Sequence, residues 1–417
     1  MMIGTFFPWI ILEVIMKHLK RALATLLSAA LLVSALAACG GTGDKDGDGG
    51  QETDRPSAVE ALTGLQPGDI LFTVDGVDVT AGDYCYWLIY SIEMASANLY
   101  GGSDVIWTDE QNGVPMAEYL KNDAQEVCKS FAIIQAKAIE QGVALDAEDE
   151  AELEAIMDAY VRDMGQYEWD NALTNGTVSE DMGEEKMAAW IEEAGTKALE
   201  QRCYELGTTV DGLKNMERIT LLYDRLQNAL FGPGGPMEAD DQEVAGYLAQ
   251  VGLYKAKHIL ISIKDEEGNL MDEAGKAEAR KRAEDILAQI KESEDPLAEF
   301  NVMMATYSED PGLMTYPEGY LFSDGQMVPE FQAGVEALAE NEISDIVESE
   351  HGYHIILRLS PVDDDTRAAY ITHSYEELAN QWLADAQVEE TDAFVALDVQ
   401  AFSANLDAIQ AESETEQ

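Results

Sequence analysis

Basic side chains are scarce in this sequence. Lysine and arginine together number 25, against 81 aspartate and glutamate residues, which gives a formal net charge of −56 at pH 7. Nucleic-acid binding needs clustered lysine and arginine to neutralise phosphates, so the composition argues against a nucleic-acid partner. A chain this acidic is repelled by anionic surfaces, and most of its carboxylates are expected on the solvated faces of amphipathic helices.

Cysteine is rare and offers no reactive pattern. Apart from Cys39 near the N-terminus, the sequence holds only Cys85, Cys128 and Cys203. An odd number leaves at least one thiol unpaired. Their apolar neighbours favour buried free thiols, with one disulfide as the alternative. None has a histidine neighbour or Cys-x-x-Cys spacing, so the sequence indicates neither nucleophilic nor redox chemistry at cysteine.

The apolar run near the N-terminus is too short for a comfortable membrane span. It covers residues 22–38, follows a basic run at 17–21 and ends in small residues, which is typical of a secretory signal. The ending Leu36-Ala37-Ala38-Cys39 resembles the lipobox of bacterial lipoproteins. That resemblance implies cleavage before Cys39, a diacylglycerol on its sulfur and an extracytoplasmic, membrane-anchored protein; the alternative is an ordinary signal peptide. Residues 1–15 fit no signal pattern, and we expect translation to start at Met16.

Residues 39–64 predict a flexible acidic linker. Glycine, aspartate, threonine, lysine and serine dominate the stretch after Cys39, which has too little apolar content to bury a core. Asp44, Asp46 and Asp48 match the opening of a calcium-binding loop. However, the twelfth position of that loop is Arg55 instead of the usual glutamate, so we predict no metal site.

Residues 65–252 predict a mostly helical domain that begins with a hairpin. Two β-prone runs, Ile70–Val74 and Val77–Val79, flank the turn pair Asp75-Gly76. Helical periodicity and capping residues then predict helices at 80–98, 115–141, 147–166, 179–205, 211–231 and 239–250. This domain contains no histidine and no catalytic cluster.

Residues 253–361 predict an α+β domain, followed by a helical tail. A strand at 257–263, helices at 272–292, 297–307 and 328–339, and a strand at 352–359 succeed one another, with 343–347 as a further member of the sheet. In the tail, 362–417, Ser374 and Glu377 predict a capping box that starts a helix at 374–386. Apolar positions continue over 388–402, and the end, 411–417, is expected to be disordered.

Three motifs stand out in the second domain. They are Lys257-His258-Ile259-Leu260, Gln326-Met327-Val328-Pro329-Glu330-Phe331 and His351-Gly352-Tyr353-His354-Ile355-Ile356. Together they resemble the core of a parvulin-type (PpiC, or rotamase) peptidyl-prolyl cis/trans isomerase. The resemblance implies a small antiparallel sheet with surrounding helices, with His258 and His354 on the two histidine positions of the family. It implies that Asp310 takes the Cys-or-Asp position, and that Met327, Phe331 and Phe322 hold the substrate proline. It implies neither a cofactor nor a metal.

The chemistry of the reaction fits these residue types. Rotation about a peptide bond has a barrier of roughly 18–20 kcal/mol, because amide resonance must be broken. A site can lower it without a covalent step by holding the proline ring in an apolar pocket and favouring the twisted amide. We therefore favour a tuning role for Asp310 over nucleophilic attack. The alternative for the histidines, Met327 and Phe331 is that they are plain core residues.

One segment departs from the usual sequence of the family, and a second segment bears on substrate specificity. Pro317-Glu318-Gly319-Tyr320 replaces the usual Gly-Asp-Leu-Gly, which alters the wall of the pocket. The loop 263–275 is acidic and holds no arginine, whereas isomerases directed at phosphoserine-proline need a basic cluster there. We therefore expect unphosphorylated X-Pro substrates.

The hairpin followed by helices resembles the N-terminal region of exported foldases of the PrsA and SurA type. The resemblance implies a chaperone-like surface for unfolded or newly secreted polypeptides, and a tail that returns to pack on the N-terminal domain. The alternative is a scaffold that forms a homodimer or spaces the enzyme. A membrane-anchored holding chaperone with a poorly active parvulin module is the second hypothesis for the whole chain. A solute-binding lipoprotein is disfavoured, because no repeated α/β halves occur.

Overall fold

The computed structural model describes residues 56–265 and 267–416. Met16, Cys39, the predicted signal and most of the linker lie outside the described residues. The described chain forms two compact units. The first comprises residues 56–235 and 375–416, and the second comprises Pro236–Ser374.

The first unit is mainly helical and carries two small sheets. Its elements before Gly235 are α1 (Ala58–Thr63), β1 (Ile70–Val74), β2 (Val77–Thr80), α2 (Ala81–Leu99), β3 (Glu110–Gln111), β4 (Val114–Pro115), α3 (Met116–Gln141), α4 (Ala147–Thr174), a 3-10 turn (Glu180–Met182), α5 (Glu184–Glu205) and α6 (Val210–Phe231).

The predicted hairpin is confirmed, and the tail adds a strand to it. Asp75 and Gly76 have φ of 48° and 83°, the left-handed values that a type I′ turn requires at both central positions. In the C-terminal tail, β9 (Val388–Glu390) pairs antiparallel with β1, giving a three-stranded sheet in the order β2-β1-β9. The return of the tail onto the N-terminal region, expected from the resemblance, is therefore confirmed.

Local capping signals set the predicted helices. The Thr80 side chain accepts from the Asp83 backbone N–H while the Asp83 carboxylate accepts from the Thr80 N–H, a capping box that starts α2. Gly142 ends α3 in the left-handed conformation. Helix α4 is longer than the predicted 147–166. It packs closely on α5, where a Cβ at Gly165 or Gly195 would clash with the backbone of the facing helix.

The core of the first unit joins the hairpin, the helices and the tail. Phe72 of β1, Tyr84 of α2 and Phe394 of the tail helix α12 (Asp392–Ala396) meet with ring centroids 5.1–6.2 Å apart. The final helix, α13 (Val399–Glu416), adds buried side chains to the same core. The three described cysteines are buried and free, which confirms the preferred interpretation of their settings.

The second unit is an α+β domain around a four-stranded antiparallel sheet. Its elements are α7 (Asp241–Gln250), β5 (Leu253–Ser262), α8 (Glu273–Glu292), α9 (Pro296–Tyr307), β6 (Tyr320–Ser323), α10 (Pro329–Glu336), β7 (Val347–Glu348) and β8 (Gly352–Leu359), and the strand order is β6-β5-β8-β7. The fold class expected from the sequence is confirmed. Strand β6 was not predicted, because four residues are too few for a recognisable alternation.

The two faces of this sheet carry different residues. Alternate residues of a strand point to opposite faces. Ile259 and Ile261 of β5, with Ile355 and Leu357 of β8, pack with α8 and α9 in an aliphatic core. The opposite face presents a smaller cluster, which includes Phe322 of β6 and Phe331 of α10. The histidines of the two central strands belong to this second face.

The predicted capping box at Ser374 was wrong. Helix α11 runs without interruption over Asp364–Asp385, so Ser374 lies in its interior. The cap is at Asp363, whose carboxylate accepts from the Thr366 backbone N–H at 2.9 Å while its own N–H donates to the Thr366 hydroxyl at 2.8 Å. The Ser-x-x-Glu pattern is local and carries no information about helical residues upstream.

Within the described ranges, no helix is both long and apolar enough to span a membrane.

The aromatic junction makes the tail a stability determinant of the first unit. Phe394 is only 2% exposed. Replacing it with alanine is expected to lower the unfolding free energy by about 3–5 kcal/mol, because the substitution leaves a cavity at the junction. All described tryptophans lie in the first unit, so their fluorescence during urea unfolding reports on that unit. Val395→Ala, at an exposed neighbouring position, is the control and should change the unfolding free energy little. Equal effects of the two substitutions would contradict the docked tail.

Candidate active site

Two buried histidines lie side by side on the small face of the sheet in the second unit. In the β5–β8 register, His258 pairs with Ile356 and His354 pairs with Leu260, so the two histidines are diagonal neighbours on one face. Their Nδ1 atoms are 2.9 Å apart, and their rings stack with centroids at 5.1 Å. The predicted histidine pair is therefore brought together by strand register.

Asp310 is the next member of the network. It follows α9, and its Oδ2 lies 3.2 Å from His258 Nε2. The Tyr320 hydroxyl donates to the same Oδ2 at 2.7 Å, and the Gly312 backbone N–H donates to Oδ1 at 3.2 Å. Although burial by itself raises the pKa of Asp310, the hydrogen bonds from His258 and Tyr320 outweigh it and lower the pKa to about 2. Asp310 is therefore a carboxylate at neutral pH, with both oxygens engaged.

At the other end of the network, Ser349 contacts His354. Its Oγ lies 2.7 Å from His354 Nε2 and accepts a hydrogen bond from the His351 backbone N–H at 3.1 Å. Sequence reasoning missed this serine and the role of Tyr320. The only signal for Ser349 was its place in the turn before β8. Tyr320 stood in the segment that departs from the family, but nothing local indicated its partner.

The partners fix which nitrogens carry protons when both rings are neutral. A carboxylate only accepts, so His258 donates through Nε2–H and accepts at Nδ1. His354 then donates through Nδ1–H, and its Nε2 accepts from the Ser349 hydroxyl. The four groups form one directional chain from Ser349 through both histidines to Asp310. If His258 takes up a proton, its Nδ1 becomes a donor, and His354 and Ser349 must reverse their bonds.

The two ends of the chain differ in charge. Burial, and then the neighbouring His258, lower the pKa of His354 to about 3, so this ring is neutral at physiological pH. Asp310 holds a negative charge on the far side of His258. The network is therefore polarised, with its neutral end at Ser349 and its charged end at Asp310.

The predicted proline-binding residues lie against the histidine pair. The Phe331 ring is edge-on to both histidines, with centroids 5.1 Å from His258 and 5.4 Å from His354. Phe322 lies 6.0 Å from Phe331, and Met327 packs half-buried on the same cluster. The structure thus places a polar chain and an apolar cluster side by side, and it brings all six predicted site residues of this domain together. The predicted lipidation residue, Cys39, lies outside the described residues.

His351 and His373, the other two histidines among the described residues, make their side-chain contacts outside this network. The His351 side chain is exposed beside Glu350. The His373 ring stacks on Tyr247. In the described part of the chain, no group of three or more His, Cys, Asp or Glu side chains is arranged to hold a metal ion.

A family profile matches this domain. Residues 258–360 match the family described as Rotamase: PPIC-type PPIASE domain. They form a domain of the parvulin, or PpiC, type. The resemblance drawn from the three motifs is confirmed.

Curated relatives match about a third of the chain. Chaperone SurA of Thiobacillus denitrificans (strain ATCC 25259 / T1) is 31% identical over 156 residues, which cover 36% of this chain and 34% of the relative. Foldase protein PrsA of Staphylococcus aureus (strain MRSA252) is 32% identical over 146 residues, which cover 34% of this chain and 42% of the relative. The chain therefore spans only 34–42% of the length of these relatives.

Solved structures of similar proteins include PrsA and small parvulins. PrsA from Bacillus subtilis is 16% identical with a TM-score of 0.22, and the match covers 83% of this chain and 93% of that one. The parvuline of Nitrosopumilus maritimus is 27% identical with a TM-score of 0.19, and the match covers 26% of this chain and 96% of that one.

The low pKa of His354 makes the sheet sensitive to acid. The unfolded chain binds a proton at the ordinary histidine pKa of about 6.5, whereas folded His354 binds it only near 3. Between these values the unfolded state holds more protons, so stability falls as the pH is lowered, by about 1.4 kcal/mol per unit. Hydrogen exchange with mass spectrometry measures the opening free energy of β5 and β8. Between pH 7 and pH 5 we expect the titration of His354 to lower this free energy by about 2 kcal/mol.

Histidine variants test the assignment of this effect. His354→Asn cannot gain a charge and should lose this part of the pH dependence. His351→Asn, at the exposed neighbouring histidine, should keep it. Equal pH dependence in wild type and His354→Asn would contradict a neutral, buried His354.

Proposed function

We propose that this chain is a lipid-anchored, extracytoplasmic peptidyl-prolyl cis/trans isomerase that assists the folding of secreted proteins. The observation that carries the proposal is the hydrogen-bonded pair His258–His354, tied to Asp310 and placed against Phe331 in a domain of the PPIC type. We assign catalysis to the domain at 253–361.

The apolar cluster suits the binding of a proline ring. Phe322 and Phe331 supply flat, buried surfaces, and Met327 is flexible enough to adapt to the ring in either isomer. Burial of the ring leaves the peptide bond that precedes proline as the group free to rotate. Uncatalysed exchange of such a bond takes tens to hundreds of seconds, so even a modest reduction of the barrier matters for folding.

The polar chain acts on the amide. A site free of bulk water strengthens each hydrogen bond and dipole in it, and it can favour the twisted state over either planar isomer. Both Asp310 oxygens already accept hydrogen bonds from His258, Tyr320 and Gly312. A carboxylate held in this way is a poor nucleophile, which supports non-covalent catalysis with Asp310 as the fixed end of the network.

The substrates proposed are unphosphorylated X-Pro segments. The loop after β5 supplies no arginine, and the arginines of α8 that approach the neighbouring turns are already paired. Arg282 lies 2.8 Å from Glu309, and Arg280 contacts Glu284 and Glu348. A phosphate would find no free guanidinium among these pairs, whereas a neutral segment needs none.

The proposed membrane anchor and polypeptide partners rest on the N-terminal sequence and on the relatives. The Leu-Ala-Ala-Cys ending supports a lipid on Cys39, since two or three acyl chains hold a domain at a bilayer almost permanently. The matched relatives carry the names chaperone and foldase. Unfolded or newly secreted polypeptides are therefore the proposed partners.

A pocket in the first unit favours a second function, the holding of unfolded chains. It lies between β2, α2, α3 and α6, and Trp87, Phe131 and Ile219 are among its apolar walls. Asp78 and Asp83 belong to its lining, which holds no basic residue. Such a pocket suits an apolar side chain of a client, and it supports a holding chaperone as the activity of this unit beside, or in place of, isomerisation. Self-association into a homodimer is the competing use of such a surface.

Single substitutions in the site test catalysis in the purified full-length chain. His258→Ala breaks the network and Met327→Ala removes a pocket wall, so each should lower kcat/KM for an unphosphorylated Ala-Pro peptide by roughly tenfold or more. The matched controls are His351→Ala and Met314→Ala, at an exposed histidine and at a methionine that is 95% exposed. Both controls should keep the wild-type rate.

Unchanged rates in both site variants would contradict the site assignment. A folded wild-type chain without any isomerase activity would instead favour the holding chaperone, and suppression of aggregation of an unfolded client would then be the activity to measure.

The anchor is tested in cells. Cys39→Ala removes the sulfur that would carry the lipid, so the protein should move from the membrane fraction to the soluble extracytoplasmic fraction. Cys85→Ala, at a buried cysteine, is the control and should stay with the membrane. Membrane retention of the Cys39→Ala protein would count against the anchor.

A further inference from the structure

Tyr320 contributes a hydrogen bond to the site that the motifs did not predict. It opens β6, is half-buried, and its hydroxyl donates to Asp310 Oδ2 at 2.7 Å, the same oxygen that faces His258 Nε2. The segment 317–320 stands where the parvulin resemblance has Gly-Asp-Leu-Gly. Tyr320 therefore occupies a glycine position, and a glycine has no side chain with which to donate.

The surroundings of Tyr320 fit its hydroxyl closely. A Cβ at Gly312 would lie 1.8 Å from the Tyr320 hydroxyl oxygen, so only glycine leaves room for the phenol at that point. The Gly312 backbone N–H donates to the other oxygen of Asp310. Tyr316 packs on the Tyr320 ring with centroids 4.9 Å apart, and the His258 ring lies edge-on at 5.8 Å. The phenol is therefore held in one place from three sides.

We infer that Tyr320 is a positioning residue of the isomerase site, which orients the Asp310 carboxylate toward His258 and through it fixes the proton positions of the histidine pair. The inference rests on the proposed isomerase function for its consequence in catalysis. The hydrogen bond itself can be tested independently of that function.

The charges around Asp310 explain why the hydroxyl matters. The titratable groups that face this carboxylate are His258 from β5, with His354 of β8 behind it, and Tyr320 from β6, with Tyr316 behind it. Burial, and then the hydrogen bond to Asp310, raise the pKa of Tyr320, so its phenol keeps its proton and remains a donor throughout the neutral range. Without that donor, Oδ2 is bound by His258 alone. The carboxylate can then turn away, and His258 loses the partner that selects its Nε2–H form.

The test uses Tyr320→Phe, which keeps the ring and removes only the hydroxyl, in the full-length chain. We expect kcat/KM for the Ala-Pro peptide to fall roughly five- to tenfold with KM little changed. In an Asp310→Asn background the same substitution should add no further loss, because the two residues act as one unit. Gly312→Ala, which displaces the phenol, should reproduce the loss and its dependence on Asp310. Tyr307→Phe, at an exposed tyrosine, is the matched control.

A titration separates this inference from the proposed function. The carboxyl pKa of Asp310, followed by 13C NMR, should be about one unit higher in Tyr320→Phe than in wild type, and unchanged in Tyr307→Phe. An unmoved Asp310 pKa, or an equal loss of rate with and without Asp310, would overturn the role of Tyr320. Absence of catalysis by the wild-type chain would overturn the proposed function, and the titration would still decide whether Tyr320 acts on Asp310.

Discussion

The hydrogen bond between the two histidines is the interaction on which the rest of the second unit's site depends. Two imidazole rings in contact and away from water each leave a second nitrogen that must also find a partner. Asp310 satisfies the second nitrogen of His258, and Ser349 satisfies that of His354. The contact between the two Nδ1 atoms, 2.9 Å apart, therefore requires a chain of four groups. The register of β5 and β8 sets the pair, and a slip of one residue would turn one ring to the opposite face and break the chain.

The two faces of the sheet have different roles: one stabilises the domain and the other carries the site. One face is filled by isoleucine, leucine and phenylalanine under two helices and provides a rigid support. The other carries the polar chain and a small aromatic cluster under one short helix, α10. Because the strands are held from behind, the site face need not contribute the bulk of the packing. It can therefore keep a neutral buried His354 and a charged Asp310, an arrangement that costs stability as the pH falls.

The sequence predicted the features that are local. The turn at Asp75-Gly76, the cap at Thr80 and the end of α3 at Gly142 depend on neighbouring residues, and they lie where the pattern indicated. The histidine pair came from resemblance, since no local rule tells that residues 96 positions apart share a face. Ser349 and Tyr320 gain their meaning only from distant partners. Short β6 depends on pairing with β5, and the capping pattern at Ser374 failed because the helix had begun upstream.

The proton positions of the histidine pair give the most direct test of this account. The chain has only five histidines, so the ring nitrogens can be resolved by NMR after 15N-histidine labelling of the full-length protein. The directional chain predicts that His258 carries its proton on Nε2 and that His354 carries its proton on Nδ1. The Nδ1–H form is the less common one in water, so its presence would identify the hydrogen bond between the rings. A proton on Nε2 of His354, or on both of its nitrogens, would contradict the network.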